Sequence, residues 1–170
     1  MIQKRLSVFE TNSSSVHSIC ISRKPYELPD KVYFTLGEYG WDDAYPDPAS
    51  YLYTALVSME LEHYIDELKD ILDSHGVAYS FEELSDDASL WDYYIDHCGE
   101  LRKMIFDLFM DEDRLLRYLF SPETFIHTGN DNDGNCPMET EPRLYDWDND
   151  CYIPNPDYDP ENFEYYEKGN

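Results

Sequence analysis

The 170-residue chain carries 37 acidic residues against 12 basic ones, a formal net charge of −25, with 42% apolar and 16% aromatic residues. That apolar content is enough for a buried core and excludes a purely disordered polymer. The charge opposes direct binding to nucleic acid or to anionic membranes, which need cations to displace counterions, and favours basic protein surfaces.

The charge is unevenly spread. Residues 1–59 hold seven acids and five bases, residues 60–120 seventeen and five, and residues 121–170 thirteen and two. The first third is nearly neutral and the rest is a strong anion. No run approaches the roughly 18 apolar residues of a membrane-spanning helix. Lys4 and Arg5 lead into a short mixed segment without the apolar run of a secretory leader. A cytoplasmic location is therefore expected. Cys20, Cys98, Cys136 and Cys151 form no CxxC pair and read as reduced thiols, Cys20 and Cys98 as buried ones.

In chain order, Leu6–Glu10 reads as a short strand and Val16–Ser22 as another, joined by the polar block Thr11–Ser15. Lys31–Leu36 (KVYFTL) is rich in β-formers, and the stretch holding Gly37, Gly40, Pro46 and Pro48 is punctuated as a loop. A helix starts at Asp47-Pro48, an N-cap followed by proline at the first helical position. It is expected to run to about Ser74, with Gly76 as its stop. Leu61, Tyr64, Ile65, Leu68, Ile71 and Leu72 keep the spacing of a buried stripe, and Glu60, Glu62, Asp66, Glu67, Asp70 and Asp73 take the other face. Tyr51–Val57 is apolar all round, which predicts deeper burial there. Val77–Phe81 reads as a short strand or connector.

Further helices are expected over Ala88–Cys98, over Glu100–Met110 and, capped by Asp111, as far as Phe120. ETFIHT, residues 123–128, reads as a strand, and GNDNDGN as a turn. From Cys136 onward the chain is acidic and rich in Pro and Tyr, with no sustained period. The expected fold is α+β: a small antiparallel sheet, mostly of N-terminal strands plus the strand near 123–128, packed with three to four helices. Residues 1–135 are expected to form this domain, with 136–170 an acidic, irregular segment packed on it.

Two places carry candidate chemistry. In Thr11–Ser15 the small polar side chains suit a tight turn, and successive backbone N–H groups there suit an anion nest. Lys4, Arg5, Arg23 and Lys24 flank the block. Ser15 and His17 share one face of an extended strand. A small enzyme acting on a nucleotide or other phosphate-bearing metabolite would use Ser13, Ser14, Ser15, His17 and Arg5. Asp131 and Asp133, with Glu10 or His127, make a weak metal site. Read as an EF-hand, GNDNDGNCPME fails, because Gly129 and Thr140 stand where acids belong. A zinc site of Cys136, Cys151 and His127 lacks finger spacing, and no cofactor is expected.

The second place is LYDWDNDCYIPNPDYDPENFEYYE, which interleaves acids with aromatics. Alternate residues of an extended chain lie about 6.5 Å apart, far sparser than duplex DNA with a charge about every 1.7 Å. Phosphate mimicry therefore requires this row to combine with the acidic helix face of the 60s. The partner-binding candidates are Glu60, Asp66, Glu67, Asp70, Asp146, Trp147, Asp148, Asp150, Tyr152, Asp157 and Asp159.

RLSVFETNSSSVHS resembles the N-terminal signature of small proteins from bacteriophages and mobile elements of Gram-positive bacteria, a family without an established activity. GEYGWDDAYPDPASYLYTAL and FIHTGNDNDG echo it more weakly, and together these cover about a quarter of the chain. The resemblance implies a phage setting. With the charge, it leads to an expected accessory protein that binds a basic, nucleic-acid-binding surface of a host protein, as a DNA-mimicking inhibitor of a CRISPR or restriction system would. The small enzyme is the alternative, and a structural phage protein a third.

Overall fold

A computed structural model describes residues 15–40, 42–83, 93–96, 98–130, 142–146 and 148–168. Its elements are β1 (Ser15–Ser22), β2 (Lys31–Phe34), β3 (Glu38–Tyr39), α1 (Pro48–Ser58), α2 (Glu62–Ser74), β4 (Ala78–Phe81), β5 (Tyr94–Ile95), α3 (Arg102–Phe109), α4 (Glu112–Phe120), β6 (Phe125–Asn130), β7 (Arg143–Asp146), β8 (Cys151–Pro154) and β9 (Phe163–Lys168). Helices and small sheets of this kind make the fold α+β. The expected strand at Leu6–Glu10 and the polar block up to Ser14 lie outside the described residues.

The main sheet has the order β6-β1-β9 and is antiparallel throughout. Its centre is N-terminal as expected, but one flank comes from the C-terminal segment that reads as irregular in the sequence. Alternate residues of FEYYEK take opposite sides of β9, Phe163, Tyr165 and Glu167 on one and Glu164 and Tyr166 on the other, and Tyr166 packs on the core. Arg114 of α4 ties that strand down through Glu164 and Tyr166. The remaining strands form pairs: β2 with β4 and β3 with β5, both parallel, and the antiparallel hairpin β7–β8.

Asp47 caps α1 as its sequence predicts, its carboxylate accepting from the Ser50 N–H at 3.0 Å with Pro48 next in the chain. Every residue from Ala49 to Val57 is buried. The reason is position, since β2, β5, α2 and α4 all pack on α1. α2 is the amphipathic helix of the pair, with Leu68 and Leu72 buried and its acids outward. Phe34 of β2 stacks on Phe81 of β4 with centroids 4.4 Å apart, closing the crossover that α1 and α2 make between these parallel strands.

Two expectations are corrected. The helix expected from Pro48 to Ser74 is broken at Met59–Leu61, where Glu60 takes a φ of 55°. The Leu61 N–H bonds Leu56 O and the Glu60 N–H bonds Val57 O, a Schellman closure that ends α1. The helix expected over Ala88–Cys98 gives way at its end to β5 and a 3-10 turn at Cys98–Leu101. Tyr94 N–H bonds Gly37 O and Asp96 N–H bonds Tyr39 O, so backbone pairing with β3 displaces helix there. Residues 84–92 lie outside the described set. No helix among the described residues is long and apolar enough to cross a membrane.

Candidate functional site

The antiparallel register sets Ser15 opposite Asn130, Val16 opposite Gly129 and His17 opposite both Thr128 and Lys168. The chain thus enters β1 from the serine block, and leaves β6 toward Asp131, at one end of the sheet. Ser13, Ser14, Arg5, Asp131 and Asp133 themselves lie outside the described residues, as do Glu10 and Cys136.

Ser15 and His17 do share a face, and both are 0% exposed. Each is turned to a different partner. The Ser15 hydroxyl donates to Asp96 Oδ2 at 2.9 Å, and His17 Nδ1 shares a 2.7 Å hydrogen bond with Tyr51 Oη of α1. A hydroxyl has one proton to give, so Ser15 in this state donates to Asp96 and not to His17. Burial pushes the Tyr51 phenol well above its ordinary range, and the neighbouring Cys98 and Tyr39 add to the effect. Tyr39 is likewise raised to about 12, chiefly by burial and then by Asp47. The arrangement holds β1 to α1 and to the segment after β5.

At the same end, the loop before α1 is pinned to β6. Ala44 and Thr128 exchange both backbone hydrogen bonds, at 3.0 and 2.9 Å, and the Thr128 hydroxyl donates to Asp42 O at 3.1 Å. His127 Nε2 meets Asp43 Oδ1 at 2.5 Å, with the imidazole buried and the carboxylate facing solvent. Tyr45 lies over His127 and against Phe125, with centroids 5.0 and 5.5 Å away. All three sequence segments that carry the phage-type resemblance therefore contribute to this end of the fold. Tyr51 and Asp43 sit inside the second of those segments, which is the signal that could have found them. Asp96 carries no comparable signal, since only the β3–β5 pairing brings it here.

The partner-binding candidates fall on two other surfaces. On α2, Asp66, Glu67 and Asp70 are exposed, as is Glu60 in the α1–α2 break, and Lys69 Nζ pairs with Asp66 at 2.9 Å. On the hairpin side, Asp148, Asp150 and Asp157 are exposed, and Tyr152 is 58% exposed on β8. Asp146 and Asp159 are bound within turns. Asp146 accepts from the Asp148 and Asn149 N–H groups and from the Asn149 amide, and that side-chain bond is the main cause holding its carboxyl below the ordinary range. Asp159 accepts from the Glu161 N–H and the Asn162 amide. Trp147 lies outside the described residues.

The two acidic rows ride on different parts of the fold. α2 packs on α1 and β4, whereas Arg143 of the hairpin reaches Glu167 of β9 at 2.8 Å. Among the described residues no group of three or more His, Cys, Asp or Glu side chains is placed to hold a metal. Cys20 is buried, Cys98 half-buried and Cys151 exposed. No known protein family, curated protein or solved structure matches the chain.

Proposed function

We propose that the chain is a phage-type accessory protein that acts by binding in the host cytoplasm, its acidic surface occupying a basic, nucleic-acid-binding groove of a host defence protein. The observation that carries this reading is the β7–β8 hairpin. Every residue of β8 is exposed, Tyr152 and Ile153 stand out at 58% and 40%, and Asp148 and Asp150 occupy the turn beside them. Apolar anchors next to carboxylates suit a contact in which aromatics supply affinity and charge supplies steering. Asp146 and Asp159 hold turns, and Asp148, Asp150 and Asp157 lie exposed on the surface.

The test is competition with duplex DNA for a CRISPR effector or restriction enzyme, at 50 and 200 mM salt. Displacement of DNA that weakens with salt, and that falls at least tenfold in D148K/D150N, is the expected result. Asparagine is chosen at 150 because Asp150 has a φ of 53°. Displacement indifferent to both salt and substitution overturns the reading.

A second reading, a small enzyme or receptor for a phosphate-bearing metabolite, is favoured by the pairing of Ser15 with Asn130 and of Val16 with Gly129, which starts β1 and ends β6 at the same end of the sheet. Its test is a shift in melting temperature with nucleoside phosphates, expected for the native chain and lost in Arg5→Ala. No shift with any nucleoside phosphate removes it.

A further inference from the structure

Phe106 and Met110, four residues apart, are 52% and 69% exposed, while Met104, Ile105, Leu108 and Phe109 of the same helix segment are buried. Among the described residues, no other helix exposes large apolar side chains in this way. On α2, Tyr64 stacks on Phe109 with centroids 4.4 Å apart, and His75 Nε2 meets Glu112 Oε1 at 2.7 Å. These contacts set Tyr64 of α2 beside the end of α3 and His75 beside the start of α4, and the surface flanking the Tyr64–Phe109 stack is a strip shared by α2 and α3.

Helical spacing sets the two borders. Phe106, three residues from Phe109, and Met110 rise on the α3 side; Glu67, three residues from Tyr64, and Asp70 rise exposed on the α2 side. Arg102 also lies on the α3 border, and Lys103 there is neutralised by Asp107. We infer that this strip docks an amphipathic helix of a basic partner. Its apolar side chains would cover Phe106 and Met110, and its Lys or Arg residues would meet Glu67 and Asp70. A second copy of this chain is the poorer occupant, because a charge of −25 repels itself. The surface is separate from the hairpin and shares with it only the basic chemistry of what it binds.

The experiment is a titration of the ¹⁵N-labelled full chain with an 18-residue Lys/Leu amphipathic helix and with a scrambled peptide of identical composition. Calorimetry supplies the affinities. The amphipathic peptide is expected to bind at least tenfold more tightly than the scrambled one, with amide shifts centred on α3, the α3–α4 corner and the flank of α2. F106S/M110S should abolish that tenfold difference and E67K/D70K should weaken both peptides. Met110→Ser alone, at the more exposed site, provides the same test if the double variant melts early. Equal binding of the two peptides, or shifts centred elsewhere, overturns the inference while leaving the hairpin reading to its own DNA competition. Loss of the hairpin reading in that competition leaves the tenfold difference intact.

Discussion

Tyr51 and Tyr118 are both fully buried, and both phenols are pushed well above their ordinary range chiefly by desolvation. Their hydrogen bonding differs. Tyr51 meets His17, whereas the Tyr118 hydroxyl has no hydrogen-bond partner among the described residues. Tyr51→Phe should therefore lower stability by about 1–3 kcal/mol, by removing a hydrogen bond to a buried imidazole. Tyr118→Phe should leave stability unchanged or raise it by up to about 1 kcal/mol. Urea denaturation of the two variants checks the contrast, and equal losses would contradict it. At the sheet end, Ser15 and His17 are legible from their spacing as neighbours on one strand face. Their partners Asp96 and Tyr51 are 81 and 34 residues away, and no local pattern names them. On the surface, Asp146 has a depressed folded pKa because Asn149 and two backbone N–H groups bind its carboxylate. The turn's stabilisation is then present above the unfolded carboxyl value and lost as pH falls through the lower folded one. Amide shifts of Asp148 and Asn149 should titrate with a midpoint below 3.8, the ordinary carboxyl value; a midpoint at or above it would show the bonds to be absent in solution.

At the scale of elements, α1 and α2 explain where a sequence pattern misleads. Both helices close with the same Schellman pattern. In α2 the left-handed position is Gly76, with φ of 70°, its N–H bonding Asp73 O while Val77 N–H bonds Leu72 O. A glycine there is a readable stop. In α1 the same position is Glu60, and glutamate carries no such signal. It also has the cost of a Cβ in left-handed backbone, about 1–2 kcal/mol. Glu60→Gly should accordingly raise stability by up to about 1 kcal/mol, while Asp47→Ala, which removes the α1 cap, should lower it by about the same amount. Chemical denaturation of both variants provides the check; a loss in Glu60→Gly would mean that glutamate makes compensating contacts. β5 is the opposite case. Its two residues lie in a run with helical spacing, and pairing to β3 overrides that local preference.

Across the whole molecule, the chain closes its sheet with residues near its far end. β9 covers an edge of β1 that would otherwise expose a row of unpaired backbone groups. Arg114, packed over the Tyr166 ring at 5.4 Å, fastens it. Deleting residues 163–168 should therefore cause aggregation or a loss of cooperative melting rather than a mild loss of stability, as calorimetry and light scattering would report. Alkaline stability belongs to this scale too. Tyr51 and Tyr118 are neutral in the fold at pH values where unfolded tyrosine ionises, so their contribution is complete below about pH 10 and falls as pH rises beyond it. The last part of the rise in tyrosinate absorbance should come together with loss of helical signal, and ionisation of all 16 tyrosines in a chain that keeps its helical signal would contradict this.

What the sequence determined by itself is whatever acts over a few residues or over the whole composition. The caps at Asp47 and Asp111, the stop at Gly76, the amphipathic stripe of α2 and the acidic, cation-poor surface are all of this kind. Capping, periodicity and net charge depend on neighbours in the chain or on sums over it. The tertiary structure alone decided the order β6-β1-β9, the break at Glu60, the partners of Ser15 and His17, and the strip between α2 and α3. Each of these depends on groups brought together from distant positions, where backbone pairing and exclusion of water outweigh the preference of any short segment.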